Sequence, residues 1–127
     1  MNDGQQLICV IEDILSIRKL YKVILEKNNY SVIEFEEGNK AIEWLASNKP
    51  TAIICDDLLP DSNGKETIKA IRNLPNGKNL PVIAVTGFAH VSDRERYISM
   101  GFDGYISKPI NTSSFIEELL QFLPPQK

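Results

Sequence analysis

Three stretches of this chain are apolar almost without a break: Leu7 to Ile11, Ala52 to Cys55 and Pro81 to Thr86. A strand with one wet face alternates apolar and polar residues. These runs do not alternate, so both faces of each must be buried. Each is too short for a buried helix and is bounded by turn residues or charge, which favours strands. Buried strands of this kind need sheet neighbours beside them and helical layers above and below.

The segments between them supply the layers. Ile17, Leu20, Tyr21, Ile24 and Leu25 recur at three- and four-residue spacing, which predicts a first helix stopped by Asn28-Asn29. Ser31 to Phe35 reads as a second strand. Gly38 to Ser47 reads as a helix with Ala41, Trp44 and Leu45 on one face, broken by Asn48-Lys49-Pro50. Asn63-x-x-Glu66 has the spacing of a capping box and opens a helix lined by Ile68, Ile71 and Leu74, closed by Pro75-Asn76-Gly77. Ser92-x-x-Glu95 opens a fourth helix that Gly101 ends. Gly104 to Ser107 is a fifth strand, and Thr112 to Leu123 a last helix with Phe115, Ile116, Leu119 and Phe122 inward, before Pro124-Pro125. Five strands alternating with five helices predict an α/β domain over 1–127, core about 6–123, with a doubly wound parallel sheet of order 2-1-3-4-5.

Charge and cysteine usage exclude several function classes. A net charge of -3 leaves no basic footprint for direct nucleic-acid binding and no polybasic membrane patch. No apolar run approaches the roughly 20 residues of a membrane span. Met1 to Gln6 lacks the basic region of a signal peptide, so a cytoplasmic protein is expected. Cys9 and Cys55 lie inside apolar runs, there is no Cys-x-x-Cys pair, and His90 is the only histidine, which speaks against a zinc site or a disulfide framework. Both thiols are expected to be buried and inert, and His90 to be a surface residue.

The strand ends carry the chemistry. Strand 1 ends in Glu12-Asp13, strand 3 in Asp56-Asp57, strand 4 in Thr86-Gly87 and strand 5 in Lys108-Pro109. In a parallel sheet these ends share one edge, where open α/β folds bind ligands. Neighbouring strands lie about 5 Å apart, so Glu12, Asp13 and Asp56 converge. Carboxylates this close repel unless a cation sits among them, and a hard divalent ion, Mg²⁺ by preference or Mn²⁺, suits oxygen ligands. A carboxylate nucleophile beside such an ion, a lysine and a hydroxyl is a phosphoryl-transfer site. Each residue also has a plainer reading. Asp56 or Asp57 can start a turn, Glu12-Asp13 can cap a helix, Thr86 can be an ordinary strand end and Lys108 a surface lysine. All of them falling at strand ends, in this order, outweighs those readings.

On these residues the sequence resembles the receiver domain of two-component response regulators, of the single-domain, chemotaxis-regulator-like type. The match rests on Glu12-Asp13, Asp56 with Pro60 and Gly64 downstream, Thr86, Tyr105 and Lys108-Pro109. The spacing of Pro60 and Gly64 selects Asp56 over Asp57. The resemblance implies a flavodoxin-like fold and a phosphoacceptor switch, not a turnover enzyme. It implies that Asp56 takes a phosphoryl group from a phosphohistidine on a sensor histidine kinase or a histidine phosphotransfer protein. It implies Mg²⁺ held by Asp13, Asp56 and the backbone carbonyl of Leu58, with Glu12 acting through water, and a cis peptide before Pro109 that aims Lys108 at Asp56. Thr86 and Tyr105 are then the switch residues, altering the face of helix 4, strand 5 and helix 5 for a downstream protein. Ile14-Leu15 is expected to help dock the phosphodonor or to pack into the core. Leu58 and Phe88 stand where the family tunes dephosphorylation, and two apolar residues there predict an acyl phosphate lasting on the hour scale. A haloacid-dehalogenase-type enzyme would need Asp-x-Asp after the first strand, whereas here the acceptor follows strand 3 and position 58 is Leu. A flavodoxin-like electron carrier would need a Ser/Thr/Gly-rich loop where this chain has Glu-Asp-Ile-Leu. A degenerate receiver serving only as an interaction module would not keep the full set.

Overall fold

The computed structural model describes residues 6–56, 59, 61, 63–87 and 93–123. Strands β1 (Gln6–Ile11), β2 (Tyr30–Phe35), β3 (Ala52–Asp56), β4 (Val82–Thr86) and β5 (Gly104–Ser107) alternate with helices α1 (Leu15–Lys27), α2 (Gly38–Leu45), α3 (Gly64–Arg72), α4 (Asp93–Met100) and α5 (Phe115–Leu120). The sheet is parallel, in the order β2-β1-β3-β4-β5. Fold class and strand order are those expected from the sequence.

The uninterrupted apolar runs now have their reason. Successive strand residues point to opposite faces of the sheet, and each face has its own core. Ile8, Val10, Ile54, Ile83, Val85 and Ile106 pack with Tyr21, Ile24 and Leu25 of α1 and with Phe115 and Leu119 of α5. Cys9, Ile11, Ile53, Cys55, Val82 and Ala84 pack on the other side with Ala41 and Leu45 of α2, Ile68 and Ile71 of α3, and Tyr97 of α4. Both cysteines are buried, and burial pushes the Cys9 thiol far above its ordinary range. Among the described residues no helix is long and apolar enough to cross a membrane.

Local signals hold where the chain follows them. Asn63 and Glu66 form the reciprocal capping box: the Glu66 amide donates to Asn63 Oδ1 at 2.9 Å, and the Asn63 amide to Glu66 Oε1 at 3.2 Å. Asn29 takes a left-handed conformation after α1 (φ 69°), and Gly101 does so after α4 (φ 118°). The Lys108–Pro109 peptide is cis. Three expectations shift. Leu20 is exposed, because α1 turns the row Ile17, Tyr21, Ile24 and Leu25 inward and leaves Leu20 on its flank. Helix α2 ends at Leu45, short of Ser47. Helix α5 is shorter than 112–123, because Asn111 Oδ1 accepts from the Ser113 amide and hydroxyl and holds 112–114 in a turn.

At the N-terminal edge of the sheet, Arg72 ties three segments together. Its guanidinium donates to the carbonyls of Gly77 (2.7 Å), Leu80 (2.6 Å) and Gly101 (2.7 and 3.0 Å) and pairs with Asp103 at 3.0 Å. Asp103 also accepts from the Val82 amide at 2.8 Å, at the start of β4. A Cβ on Gly77 would overlap the Ile71 carbonyl, so only glycine fits this turn.

Candidate functional site

Register brings the site together. Ile11 pairs with Cys55 across β1 and β3, which sets Glu12 beside Asp56. Asp56 pairs with Val85, and Thr86 with Ser107, so Thr86 and Lys108 arrive at the same C-terminal edge. The Lys108 amide donates to the Thr86 carbonyl at 2.8 Å, continuing the ladder one step past β5.

Glu12, Asp13 and Asp56 each offer a carboxylate oxygen within 4.8 Å of the others. Glu12 is fully buried, Asp56 nearly so, and Asp13 is exposed. Lys108 Nζ lies 3.1 Å from Asp56 Oδ1 and 3.3 Å from Glu12 Oε1. Glu12 Oε2 accepts from the Ile14 amide at 3.2 Å, and the Glu12 carbonyl accepts from Arg18 Nη1 at 2.9 Å. Arg18 in turn pairs with Glu34 at 3.3 Å. Thus the acidic pair is held from its own backbone, by a residue that the sequence did not mark out.

Among the described residues three carboxylates face one ammonium, and the charges do not balance. Burial, reinforced by the Asp56 charge, pushes the Glu12 carboxyl up to about 7, against the Ile14 hydrogen bond and Lys108. Burial alone would lower the Lys108 pKa, but the charges of Asp56 and Glu12 outweigh it and hold the ammonium above its ordinary value. An oxygen-lined site short of positive charge, with Glu12 Oε1 buried and lacking a directed hydrogen bond, fits a hard divalent cation.

Thr86 is fully buried and accepts a hydrogen bond from the Tyr97 hydroxyl at 3.1 Å. Tyr97 is itself fully buried, and its ring lies 5.6 Å from that of half-buried Tyr105. Sequence reasoning missed Tyr97. Its place on α4 was legible, but the partner of its hydroxyl was not. It also missed Asp61, whose carboxylate accepts from the Gly38 and Asn39 amides at 2.9 and 2.7 Å and pins the segment after β3 to the start of α2. Leu58 and Phe88 lie outside the described residues, as do Asp57, Pro60, His90, Ser92 and Pro124-Pro125. Ile14 and Leu15 are both exposed, at 47% and 58%, so neither packs into the core.

Residues 8–120 match the family profile described as the response regulator receiver domain. The polar-differentiation response regulator DivK of Brucella anthropi is 34% identical over 116 residues, covering 91% of this chain and 94% of its own. Among solved structures, the receiver domain of sensor histidine kinase PA1611 from Pseudomonas aeruginosa, with magnesium coordinated in its active-site cleft, is 27% identical. It superposes with a TM-score of 0.83 over 93% of this chain and 97% of its own. The chemotaxis response regulator CheY4 of Vibrio cholerae shares the fold at 24% identity and a TM-score of 0.88, over 94% and 99% of the two chains.

Proposed function

The chain belongs to the response regulator receiver domain family, and from that premise we propose that Asp56 is the phosphoacceptor of a two-component or phosphorelay switch. One observation carries the reading. The Lys108 ammonium bridges Asp56 and Glu12 at the sheet edge where three carboxylates converge.

The Asp56 carboxylate attacks phosphorus in line, and the P–N bond of a partner phosphohistidine breaks as the acyl phosphate forms. Lys108 draws charge from the phosphoryl oxygens, and the Thr86 hydroxyl donates to one of them. Asp13, Asp56 and the Leu58 carbonyl would hold Mg²⁺ or Mn²⁺, with Glu12 through water, and the bound cation neutralises charge that builds on the phosphoryl group. The fit of the carboxylate set supports this, as does the magnesium in the similar receiver domain from Pseudomonas aeruginosa. The protein catalyses only its own phosphorylation and dephosphorylation. Leu58 and Phe88 offer no group to position water, so the acyl phosphate lasts on the hour scale.

Ile17, Leu20, Tyr21, Pro109 and Ile110 line an apolar hollow of about 380 Å³ beside Lys108, and Ile14, Leu15 and Val23 of the α1 region are also exposed. That surface suits the apolar face of a histidine-bearing helix from a kinase or phosphotransfer protein. Movement of Thr86 and Tyr105 on phosphorylation alters the α4-β5-α5 face for a downstream protein. The cytoplasm is the compartment of such a partner set.

The test is incubation with Mg²⁺ and a small acyl phosphate, followed by intact mass. The parent chain and Asp57→Asn gain one phosphoryl group, and Asp56→Asn gains none. A gain that survives in Asp56→Asn refutes the assignment.

A further inference from the structure

Thr86 and Asp56 sit at one edge but start from opposite faces of the sheet. Thr86 continues the row Val82 and Ala84, which faces α2, α3 and α4. Asp56 continues the row of Ile54, which faces α1 and α5. The Thr86 hydroxyl is engaged on its own side, accepting from Tyr97 Oη at 3.1 Å, with both residues fully buried.

The Tyr97 ring is fixed on several sides. It meets Phe102 edge-on at 6.0 Å, Tyr105 at 5.6 Å, and the Arg96 guanidinium over its face at 5.2 Å. A ring packed this way does not follow Thr86. Threonine is β-branched and sits in discrete χ1 wells, so turning its hydroxyl toward the acidic edge is a jump between wells. That jump breaks the 3.1 Å bond, and a buried hydroxyl loses a partner.

We propose that Tyr97 is a positioning residue of the switch: its hydroxyl latches Thr86 in the resting conformation, and phosphorylation must break that latch. The inference rests on Asp56 being the phosphoacceptor. It sets Tyr97 between the two switch residues, bonded to Thr86 and packed on Tyr105. A bond made only in the resting state holds back activation by about fivefold, the equilibrium ratio typical of one buried hydrogen bond.

Tyr97→Phe keeps the ring and removes only the oxygen. Two measurements test the latch. The first is a double-mutant cycle of Tyr97→Phe and Thr86→Val in denaturant unfolding without phosphodonor. The expected coupling is about fivefold in the unfolding constant, and zero coupling overturns the proposal. The second is the affinity for beryllium fluoride, a phosphoryl mimic, in Mg²⁺. Tyr97→Phe should bind it about fivefold more tightly than the parent. A role in packing alone lowers stability and leaves that affinity unchanged. Unchanged or weaker binding, with the parent binding normally, overturns the latch and leaves the phosphoacceptor reading standing. A parent chain that binds no beryllium fluoride and takes up no phosphoryl group refutes the phosphoacceptor reading, and the latch with it.

Discussion

Arg72→Ala should cost far more stability than a half-exposed arginine usually does, and should leave the chemistry of the site untouched. Five donor–acceptor contacts of 2.6–3.0 Å are lost, four of them to the carbonyls of Gly77, Leu80 and Gly101. A hydrogen bond with a charged partner contributes about 1.5–3 kcal/mol, so three carbonyl sites set an upper limit of roughly 5–9 kcal/mol. The side chain is 21% exposed, so water reaches part of the vacated space. Asp103 keeps its bond from the Val82 amide. The expected loss is therefore about 3–5 kcal/mol, which in a chain of this length lowers Tm by roughly 10–20 °C. Arg72→Lys should recover only a minor share, because one ammonium cannot span three carbonyls in different directions. Urea unfolding monitored by circular dichroism gives the free energies, and phosphoryl uptake from a small acyl phosphate at low temperature reads the proposed function. The Arg72 contacts lie at the opposite edge of the sheet, so uptake by the folded variant should match the parent. A loss below about 1 kcal/mol, or a lysine variant as stable as the parent, would refute the network's role.

Glu12 makes stability depend on pH. Its folded carboxyl holds a proton up to about pH 7, against an ordinary 4.5, so between those values the folded state binds the extra proton. Stability of the metal-free chain should then fall as pH rises across that window, by on the order of 3 kcal/mol in total. Denaturant unfolding in chelator at several pH values checks this; a flat profile in the parent, or the same slope in Glu12→Gln, contradicts it. Asn63→Ala removes the acceptor of the Glu66 amide and should cost about 1 kcal/mol, read as a lower urea midpoint at unchanged slope.

Regular structure was legible because its signals are local. The unbroken apolar runs gave the strands by their length and bounding turn residues, and Asn63-x-x-Glu66 marked the start of α3 with both its bonds in place. Leu20 and the start of α5 were misjudged for one reason. Periodicity tells which residues share a helix face, but not how that face is rotated against the sheet or where a side chain such as Asn111 diverts the backbone. The site was legible to the extent that it sits at strand ends. Glu12, Asp13, Asp56, Thr86 and Lys108 were marked by sequence order, and a parallel sheet brings strand ends to one edge without further information.

The sequence by itself determined the α/β class and the charged groups at the strand ends, whereas the order 2-1-3-4-5, which five alternating units fit, is fixed by the strand pairing. The class and those positions follow from backbone periodicity and from the need to bury both faces of a parallel sheet. Only the tertiary structure decided the state of those groups. Complete burial of Glu12 sets its proton affinity, and the position of Lys108 between two carboxylates sets its charge pairing. The Tyr97 hydroxyl finds Thr86 from a helix that begins several residues further along the chain. Desolvation and hydrogen-bond geometry depend on distances between elements remote in sequence, and packing alone fixes those distances.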